Sequence, residues 1–347
     1  MFKDHILLQE RFALQAAVNS LQVELEQTLA LSETEELIKI QSIMDMYGDF
    51  KEKFSRNTDT QLDVTAYATS IATWGEMLLE KDLDTILSAM EESNVALDAS
   101  YDEYIASLPP PPTYSSAEGY SYVTVDTSRG TFGAHLIKLP MSSVRVVTAS
   151  AADSDCGDNC PTKSLSQHVS DNGGFAGLNG SYFCPPDYSE CSGKVNSSDY
   201  ALYKSSSDKW FNKDALSWGD TGLVTFKGTD VKFYKRSSDY GGGSVDAGMA
   251  NYPTLLQGGN IVINEDKMTS YQKTARGPRG VIGKGNTNLY LAIINGATVV
   301  DAAYAAQAMG MKDALNLDGG GSSAMYINDG YIVGPGRSLP NAIVLTR

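Results

Sequence analysis

The sequence lacks the features that mark several common classes of protein. No apolar run reaches the roughly 18 residues of a membrane-spanning helix, so we expect no membrane span. The first residues, MFKDHILLQERFALQ, are interrupted by charges and are followed by no small-residue cleavage site, so they do not resemble a signal peptide. With three histidines, the chain has no HExxH metal motif, and it has neither a GxSxG elbow nor a P-loop.

Proline is absent from the first 108 residues, and only Gly48 and Gly75 of the 32 glycines lie there. That stretch carries 7 Lys+Arg against 21 Asp+Glu, whereas the remaining 239 residues carry 20 against 21. Its acidity argues against nucleic acid or an anionic membrane surface as a partner. We therefore predict a helical module over 1–108, a proline-rich linker over 109–119 and a second domain over 120–347.

Residues 1–108 have the spacing of packed helices. Apolar residues recur at steps of three and four in two groups, with a turn predicted over 48–60 between two long helices: Leu14, Val18, Leu21 and Leu25, then Tyr67, Ile71, Trp74 and Leu78. One interpretation is a self-contained helical hairpin. The other is a coiled-coil stalk or docking module that self-associates or anchors the chain to a protein partner, which we favour because two helices can bury little surface alone.

After the prolines the pattern changes to short β-branched and aromatic runs bounded by Gly, Asn and Asp. Helices are predicted only at 162–172 and 298–311, and the polar segment 185–220 is predicted to be a long surface loop. The expected fold class is α+β, with the helical module followed by a domain built on a mixed or antiparallel sheet.

Four cysteines lie close together, at Cys156, Cys160, Cys184 and Cys191. One or two disulfides are the favoured interpretation, and a four-thiolate zinc site is the alternative, although its usual CxxC pairs are missing. Disulfides would place the protein in an oxidising environment, outside the cell. A virion protein, which leaves the cell by lysis, reconciles that location with the absence of a signal peptide.

The segment ALNLDGGGSSAMYI, residues 314–327, is the most distinctive in the chain. A strand ends at Asp318, and the glycines that follow allow main-chain N–H groups to approach a ligand and form an anion-binding concavity. The residues Gly319, Gly320, Gly321, Ser322 and Ser323 are therefore predicted to cradle a phosphate beside the acid. The alternative is a tight turn that needs its glycines only for geometry.

Two further segments could contribute to the same site. In NGSYF, Asn179 and Gly180 could form a hairpin turn, or they could join Tyr182 and Phe183 in binding a sugar ring. In KTARGPRGVIG, Arg276 and Arg279 lie three residues apart among glycines and a proline. A guanidinium group matches a phosphate bidentately, so both arginines are candidate phosphate ligands.

Taken in order, NGSYF, PRGVIG, MGMKDALNLDGGGSSAM and RSLPNAIVL resemble the phosphodiester glycosidase family over roughly residues 120–347. Residues 1–112 have no counterpart in it. The resemblance implies hydrolysis of a sugar-1-phosphate diester, with Asn179, Arg279, Asp318 and the 319–321 loop lining the pocket. One residue departs from the family pattern: Gly280 stands where the family has threonine.

Our hypothesis for the roles is that Arg279, with Arg276 as a second candidate, neutralises the phosphodiester and that Asn179 holds a sugar hydroxyl. Asp318 would act at the anomeric carbon as nucleophile or as base for water. A divalent cation, calcium or magnesium, with Asp318 as a ligand is left open. The leading hypothesis is a hydrolase that cuts a glycan or cell-surface sugar-phosphate polymer, carried on a bacteriophage tail or baseplate. Alternatives are a glycan-binding adhesin without turnover, favoured by Gly280, and a structural virion protein.

Overall fold

The structure is a computed structural model that describes residues 18, 35–59, 62–80, 82–107 and 119–347. The chain divides into two compact units, Met1–Pro110 and Pro111–Arg347. Most of the predicted linker, 109–118, lies outside the described residues, as do three of the predicted seam positions: Leu14, Leu21 and Leu25. Among the helices in the described ranges, none is long and apolar enough to cross a membrane.

The first unit contains three described helices, α1 (Glu35–Asp59), α2 (Thr65–Glu80) and α3 (Leu83–Ser107). The predicted turn over 48–60 is wrong, because α1 continues to Asp59. Phe50 and Phe54 are both buried on one face of α1, so the helical spacing of the core outweighs the single glycine at 48. The Phe50 ring meets the Trp74 ring of α2 edge-on, with centroids 4.8 Å apart.

The second unit is built from strands β1 to β17, and the α+β prediction is confirmed. Each strand pair in the described part of the chain is antiparallel. In chain order the strands are β1 Tyr120–Thr127, β2 Gly130–Pro140, β3 Arg145–Ser150, β4 Ala176–Asn179, β5 Leu202–Lys204, β6 Lys209–Phe211, β7 Gly222–Lys227, β8 Asp230–Tyr234, β9 Ala247–Asn251, β10 Thr254–Gln257, β11 Asn260–Ile261, β12 Gly277–Lys284, β13 Asn288–Ala297, β14 Asp313–Gly319, β15 Met325–Ile327, β16 Gly330–Val333 and β17 Asn341–Thr346.

These strands form three sheets. A seven-stranded sheet has the order β1-β2-β13-β12-β14-β10-β11, and two five-stranded sheets have the orders β16-β15-β4-β17-β3 and β6-β5-β9-β7-β8. Residues 185–220, predicted to be one surface loop, contain the short strands β5 and β6. The strand β5 pairs with β6 on one side and with β9 on the other, which the polar composition of the segment did not indicate.

The seven-stranded sheet is covered on both faces. Alternate residues of β12 point to opposite sides, so Ile282 joins the core shared with the other sheets while Val281 joins the core under a helix. That helix is the last of three in this unit: α4 (Leu165–Asp171), α5 (Ser270–Thr274) and α6 (Val299–Ala308). The strands β12, β13 and β14 are largely buried, and Arg279 and Asp318 lie near the ends of β12 and β14 that face each other.

The cysteines form two disulfides, Cys156–Cys160 and Cys184–Cys191, so the disulfide prediction is confirmed and the zinc alternative is wrong. Each bridge closes a short loop, and both loops hydrogen-bond to residues 195–196. The Cys160 amide donates to Val195 O at 3.0 Å, and the Asn196 amide donates to Cys184 O at 2.6 Å. The bridges therefore fix the backbone that leads into Tyr200.

Candidate active site

Three chain segments meet where β12 begins and β14 ends. In the antiparallel register between these strands, Arg279 lies opposite Gly319, the residue directly after Asp318. The Asp318 amide donates to Gly180 O at 3.0 Å, which attaches the end of β14 to the segment that follows β4. The structure therefore brings the predicted acid, one predicted arginine and the NGSYF segment into one neighbourhood.

The buried Asn179 side chain holds the glycine loop in shape. Its amide nitrogen donates to Asp318 O at 2.8 Å, and its oxygen accepts from the Ala324 amide at 3.1 Å. One side chain thus ties down both ends of the loop, because the two bonded residues flank residues 319–323. In this structure both polar atoms of the Asn179 side chain bond to the protein backbone, and the predicted sugar contact stays a prediction.

Two glycines are required by close approaches around that loop. A Cβ atom at Gly280 would lie 2.8 Å from Asp318 O and 3.1 Å from the Leu317 Cβ. At Gly180 a Cβ atom would lie 1.9 Å from the Asn341 Oδ1, and that oxygen accepts from the Ser181 amide at 2.8 Å. Packing against backbone and amide groups therefore explains why these positions carry no side chain.

Arg279 is nearly fully buried, with 5% of its surface exposed. Its Nε donates to Ala297 O at 3.0 Å and its Nη2 to Ala275 O at 2.6 Å, so the plane of the guanidinium is fixed by the backbone. A Cβ atom at Gly319 would lie 3.0 Å from the Arg279 Nη1, which places the third nitrogen at the start of the loop. A fixed positive charge therefore stands beside Asp318 and the loop.

Arg276 does not accompany Arg279, although both were predicted to bind phosphate. Its side chain is 56% exposed, and Nη1 lies 3.5 Å from the buried Asp301 Oδ2 and donates to Gly296 O at 3.1 Å. Burial raises the pKa of Asp301, but hydrogen bonds from Arg129 and Thr298 outweigh it and leave the pKa lowered. Arg276 therefore belongs to an ion-pair group at the start of α6.

Asp318 is half-buried, and its Oδ1 accepts from the Gly319 amide at 2.8 Å. The loop then makes a short 3-10 turn, Gly320–Ser322. The Ser323 hydroxyl donates to Pro278 O at 3.3 Å. The buried Ser322 Oγ, by contrast, has no hydrogen-bond partner within the described part of the chain. Since buried hydroxyls are normally bonded, Ser322 is suited to a bound ligand.

The charges of Arg279 and Asp318 both act on the Tyr182 hydroxyl. Burial raises its pKa to about 12, Arg279 opposes the shift, and Asp318 reinforces it. The hydroxyl accepts from the Asn316 Nδ2 at 2.7 Å and stays protonated at neutral pH, so it can donate. Phe183, its neighbour, packs instead on the apolar cluster around α4, away from the predicted sugar contact.

Sequence analysis missed Asn316, whose Nδ2 donates to the Tyr182 hydroxyl. The Asn316 Oδ1 is buried and has no hydrogen-bond partner among the described residues. Its position two residues before Asp318 on one strand was an available signal, because side chains at i and i+2 share a face. It also missed Tyr200 and Trp218, whose rings continue from Tyr182. No local pattern marks these two, since the segment that carries them is polar.

Within the described ranges, no group of three or more His, Cys, Asp and Glu side chains is arranged to hold a metal ion. The Asp318 carboxylate lies beside the loop that the buried Arg279 guanidinium also approaches. A neighbouring positive charge opposes a divalent cation and favours an anion. The residues present therefore fit a phosphate better than calcium or magnesium.

A profile of the phosphodiester glycosidase family matches residues 172–346, half of the sequence and all of the site just described. The chain belongs to the phosphodiester glycosidase family. The matched residues include Asp318, the buried Arg279 and the glycine loop beside them. Comparison with curated protein sequences gives no match.

A solved structure shows the same fold at low sequence identity. The catalytic domain of zebrafish N-acetylglucosamine-1-phosphodiester alpha-N-acetylglucosaminidase, auto-inhibited by its pro-peptide, has a TM-score of 0.51 at 15% identity. That alignment covers 66% of this chain and 82% of the zebrafish chain. A hypothetical protein from Synechocystis aligns with a TM-score of 0.49 at 15% identity, covering 69% of this chain and 64% of that one, slightly under two thirds of its length.

Proposed function

We propose that this phosphodiester glycosidase hydrolyses a sugar-1-phosphodiester linkage in a glycan or a cell-surface sugar-phosphate polymer. The observation that carries the proposal is the pairing of Arg279 with Gly319, which sets the buried guanidinium beside Asp318 and the glycine loop. Its support from comparison is the family match and the fold shared with a zebrafish enzyme whose name specifies an N-acetylglucosamine-1-phosphodiester.

In the proposed reaction, Arg279 and the main-chain N–H groups of the glycine loop bind the phosphate oxygens, with Ser322 as an additional donor. The bond between the anomeric carbon and the phosphate oxygen breaks, and its electron pair goes to the phosphate. Tyr182 donates a hydrogen bond to that charge. Fixed donors aimed at developing negative charge are an effective source of rate enhancement, because they need no reorganisation.

In the proposed reaction, Asp318 acts at the anomeric carbon, either as a base or as a nucleophile. As a base it takes a proton from water while the water oxygen bonds to carbon, giving free sugar and a phosphomonoester. As a nucleophile it bonds to carbon first, and water then releases the sugar. The anomer released distinguishes the two routes, since direct attack by water inverts the centre and a covalent intermediate retains it.

The test is Asp318→Asn, assayed by release of free sugar from N-acetylglucosamine 1-phosphate esterified to 4-nitrophenol. A matched control is Asp313→Asn on the same strand, whose carboxylate accepts from the Gly258 amide at 2.8 Å at the opposite end of β14. We expect Asp318→Asn to lose at least about a hundredfold in turnover while the control keeps it. Near-full turnover in Asp318→Asn, with native circular dichroism, would overturn the proposal.

The non-catalytic adhesin is the alternative to the proposed hydrolase. Gly280 suggested a missing phosphate contact, but a Cβ atom there would lie 2.8 Å from Asp318 O. In this chain the glycine serves the packing that positions the acid. Hydrolysis in the assay above would separate an enzyme from a binding protein directly.

For the helical unit we propose self-association or docking to a larger assembly, such as a phage tail that presents the hydrolase at a host surface. Its helices expose Ile38, Leu79 and Val95, each more than 60% accessible. The two disulfides support work in an extracellular, oxidising environment. Sedimentation of the full chain and of a variant with serine at these three positions tests this: equal, monomeric behaviour of both would contradict self-association.

A further inference from the structure

The segment RSLPNAIVL (337–345) was singled out in the sequence but has no role in the proposed reaction. The structure places its first residue, Arg337, against the glycine loop. The Arg337 amide donates to Gly321 O at 3.0 Å. Gly336 also packs closely, since a Cβ atom there would lie 3.1 Å from both Gly321 O and Ser323 O. Residues 336–337 therefore support the loop on the side where these carbonyls lie.

This support sets the direction of a main-chain donor in the loop. The carbonyl of Gly321 and the N–H group of Ser322 belong to one planar trans peptide, so they point in opposite directions. Because Gly321 O accepts from the Arg337 amide, the Ser322 N–H group points away from Arg337. The position of the Arg337 backbone thus determines where one of the loop amides assigned to the phosphate can donate.

The Arg337 side chain is held by the loop that the Cys184–Cys191 disulfide closes. Its Nη2 donates to the Asp187 Oδ2 at 3.1 Å, and its guanidinium carbon lies 5.7 Å from the centroid of the Tyr188 ring. The side chains of this ion pair are only 12% and 26% exposed, so salt and water screen the attraction less than at an open surface. Arg337 can move only by giving up both contacts.

The disulfide loop is a rigid support for Arg337. The bridge joins its two ends, and inside it the Cys191 amide donates to Tyr188 O at 3.0 Å. The Cys184 amide also donates to Ser197 O at 2.9 Å, which ties the start of the loop to the segment that follows it. A carboxylate on such a loop can hold its partner at little further cost in conformational entropy.

We propose that Asp187 is a positioning residue for hydrolysis. It holds the Arg337 guanidinium, and the Arg337 backbone in turn holds the glycine loop in the shape that binds the phosphate. Asp187 acts through Arg337 and touches no reacting atom. This inference rests on the proposed function, because it takes the phosphate to bind at the glycine loop.

The first experiment measures kcat and KM of full-length variants on the nitrophenyl substrate. Asp187→Asn removes the negative charge and keeps the shape, and we expect kcat to fall about tenfold, the scale of a small misplacement of a fixed donor. Asp187→Glu keeps a carboxylate and should lose less. The matched control is Asp158→Asn in the other disulfide loop, where the carboxylate accepts from the Val195 amide at 2.7 Å, and it should keep the wild-type kcat.

A double-mutant cycle separates action through Arg337 from a general loss of stability. In a chain that already carries Arg337→Gln, the further change Asp187→Asn should leave kcat nearly unchanged, because the two residues act as a unit. The proposal is wrong if Asp187→Asn keeps the wild-type kcat, or if it costs the same factor with and without Arg337.

Amide hydrogen exchange, followed by mass spectrometry on peptides that contain residues 319–323, tests the same role without turnover. We expect these amides to exchange faster in Asp187→Asn than in Asp158→Asn and the wild-type chain, since the loop has lost part of its support. Equal exchange in all three would refute the positioning role. If the wild-type chain does not hydrolyse the nitrophenyl substrate, the proposed function fails, and hydrogen exchange alone decides whether Asp187 positions the loop.

Discussion

Replacing Arg279 with lysine tests the proposed site most directly, because it keeps the positive charge and removes the planar guanidinium group. The guanidinium is 5% exposed and donates to Ala297 O at 3.0 Å and to Ala275 O at 2.6 Å, with Nη1 beside Gly319. An ammonium group has one nitrogen, so it cannot hold both carbonyls and still reach the phosphate.

The magnitude follows from the contact that is lost. A fixed donor to developing negative charge is worth roughly 2.7–4 kcal/mol of barrier, which corresponds to about 10²–10³ in kcat. We therefore expect Arg279→Lys to lower kcat on the nitrophenyl substrate by that factor. KM should rise as well, because Arg279 also binds the phosphodiester anion before reaction, whereas the loss in kcat reports the charge that develops in the transition state.

The matched comparison is Arg276→Lys, since sequence analysis assigned both arginines to the phosphate. The structure places Arg276 at Asp301, 3.5 Å from its Oδ2, with its side chain largely exposed. Lysine keeps the positive charge near Asp301, which also pairs with Arg129, and Arg276 lies away from the loop, so this variant should keep most of its activity. Equal losses of kcat in the two variants, with both folded by circular dichroism, would refute the separation of their roles.

Three further outcomes are expected. Gly180→Ala should destabilise the fold by about 1–3 kcal/mol in denaturant unfolding, because its Cβ atom would overlap Asn341, while Gly241→Ala, in open space, should not. Burial lowers the pKa of His135 from 6.5 to about 4, so the unfolded chain takes up the proton first as pH falls. The contribution of this shift to the free energy of unfolding is fully present above pH 6.5. The free energy should fall by at most about 3 kcal/mol toward pH 4, and the fall should be smaller in His135→Gln. Dialysis against a chelator should leave turnover unchanged, and a loss restored by calcium or magnesium would show that the site uses a cation.

Local patterns were sufficient for the parts of this protein that depend on neighbours in the chain. Apolar steps of three and four predicted the helical face that buries Ile71, Trp74 and Leu78, and alternating β-branched runs predicted most strands. The cysteines of each disulfide are only 4 and 7 residues apart, so proximity alone favoured bridging. The Asp318 loop was visible because its glycines are contiguous.

What only the tertiary structure decided is which polar groups remain for a ligand. Asn179 and Arg279 hydrogen-bond to carbonyls at Asp318, Ala275 and Ala297, and the first of these is 139 residues away. Arg276 is drawn to a buried acid, and Tyr200 and Trp218 join Tyr182 through packing. Sequence spacing does not predict such partners, because a buried polar group forms a hydrogen bond with whichever backbone atom the fold brings within about 3 Å.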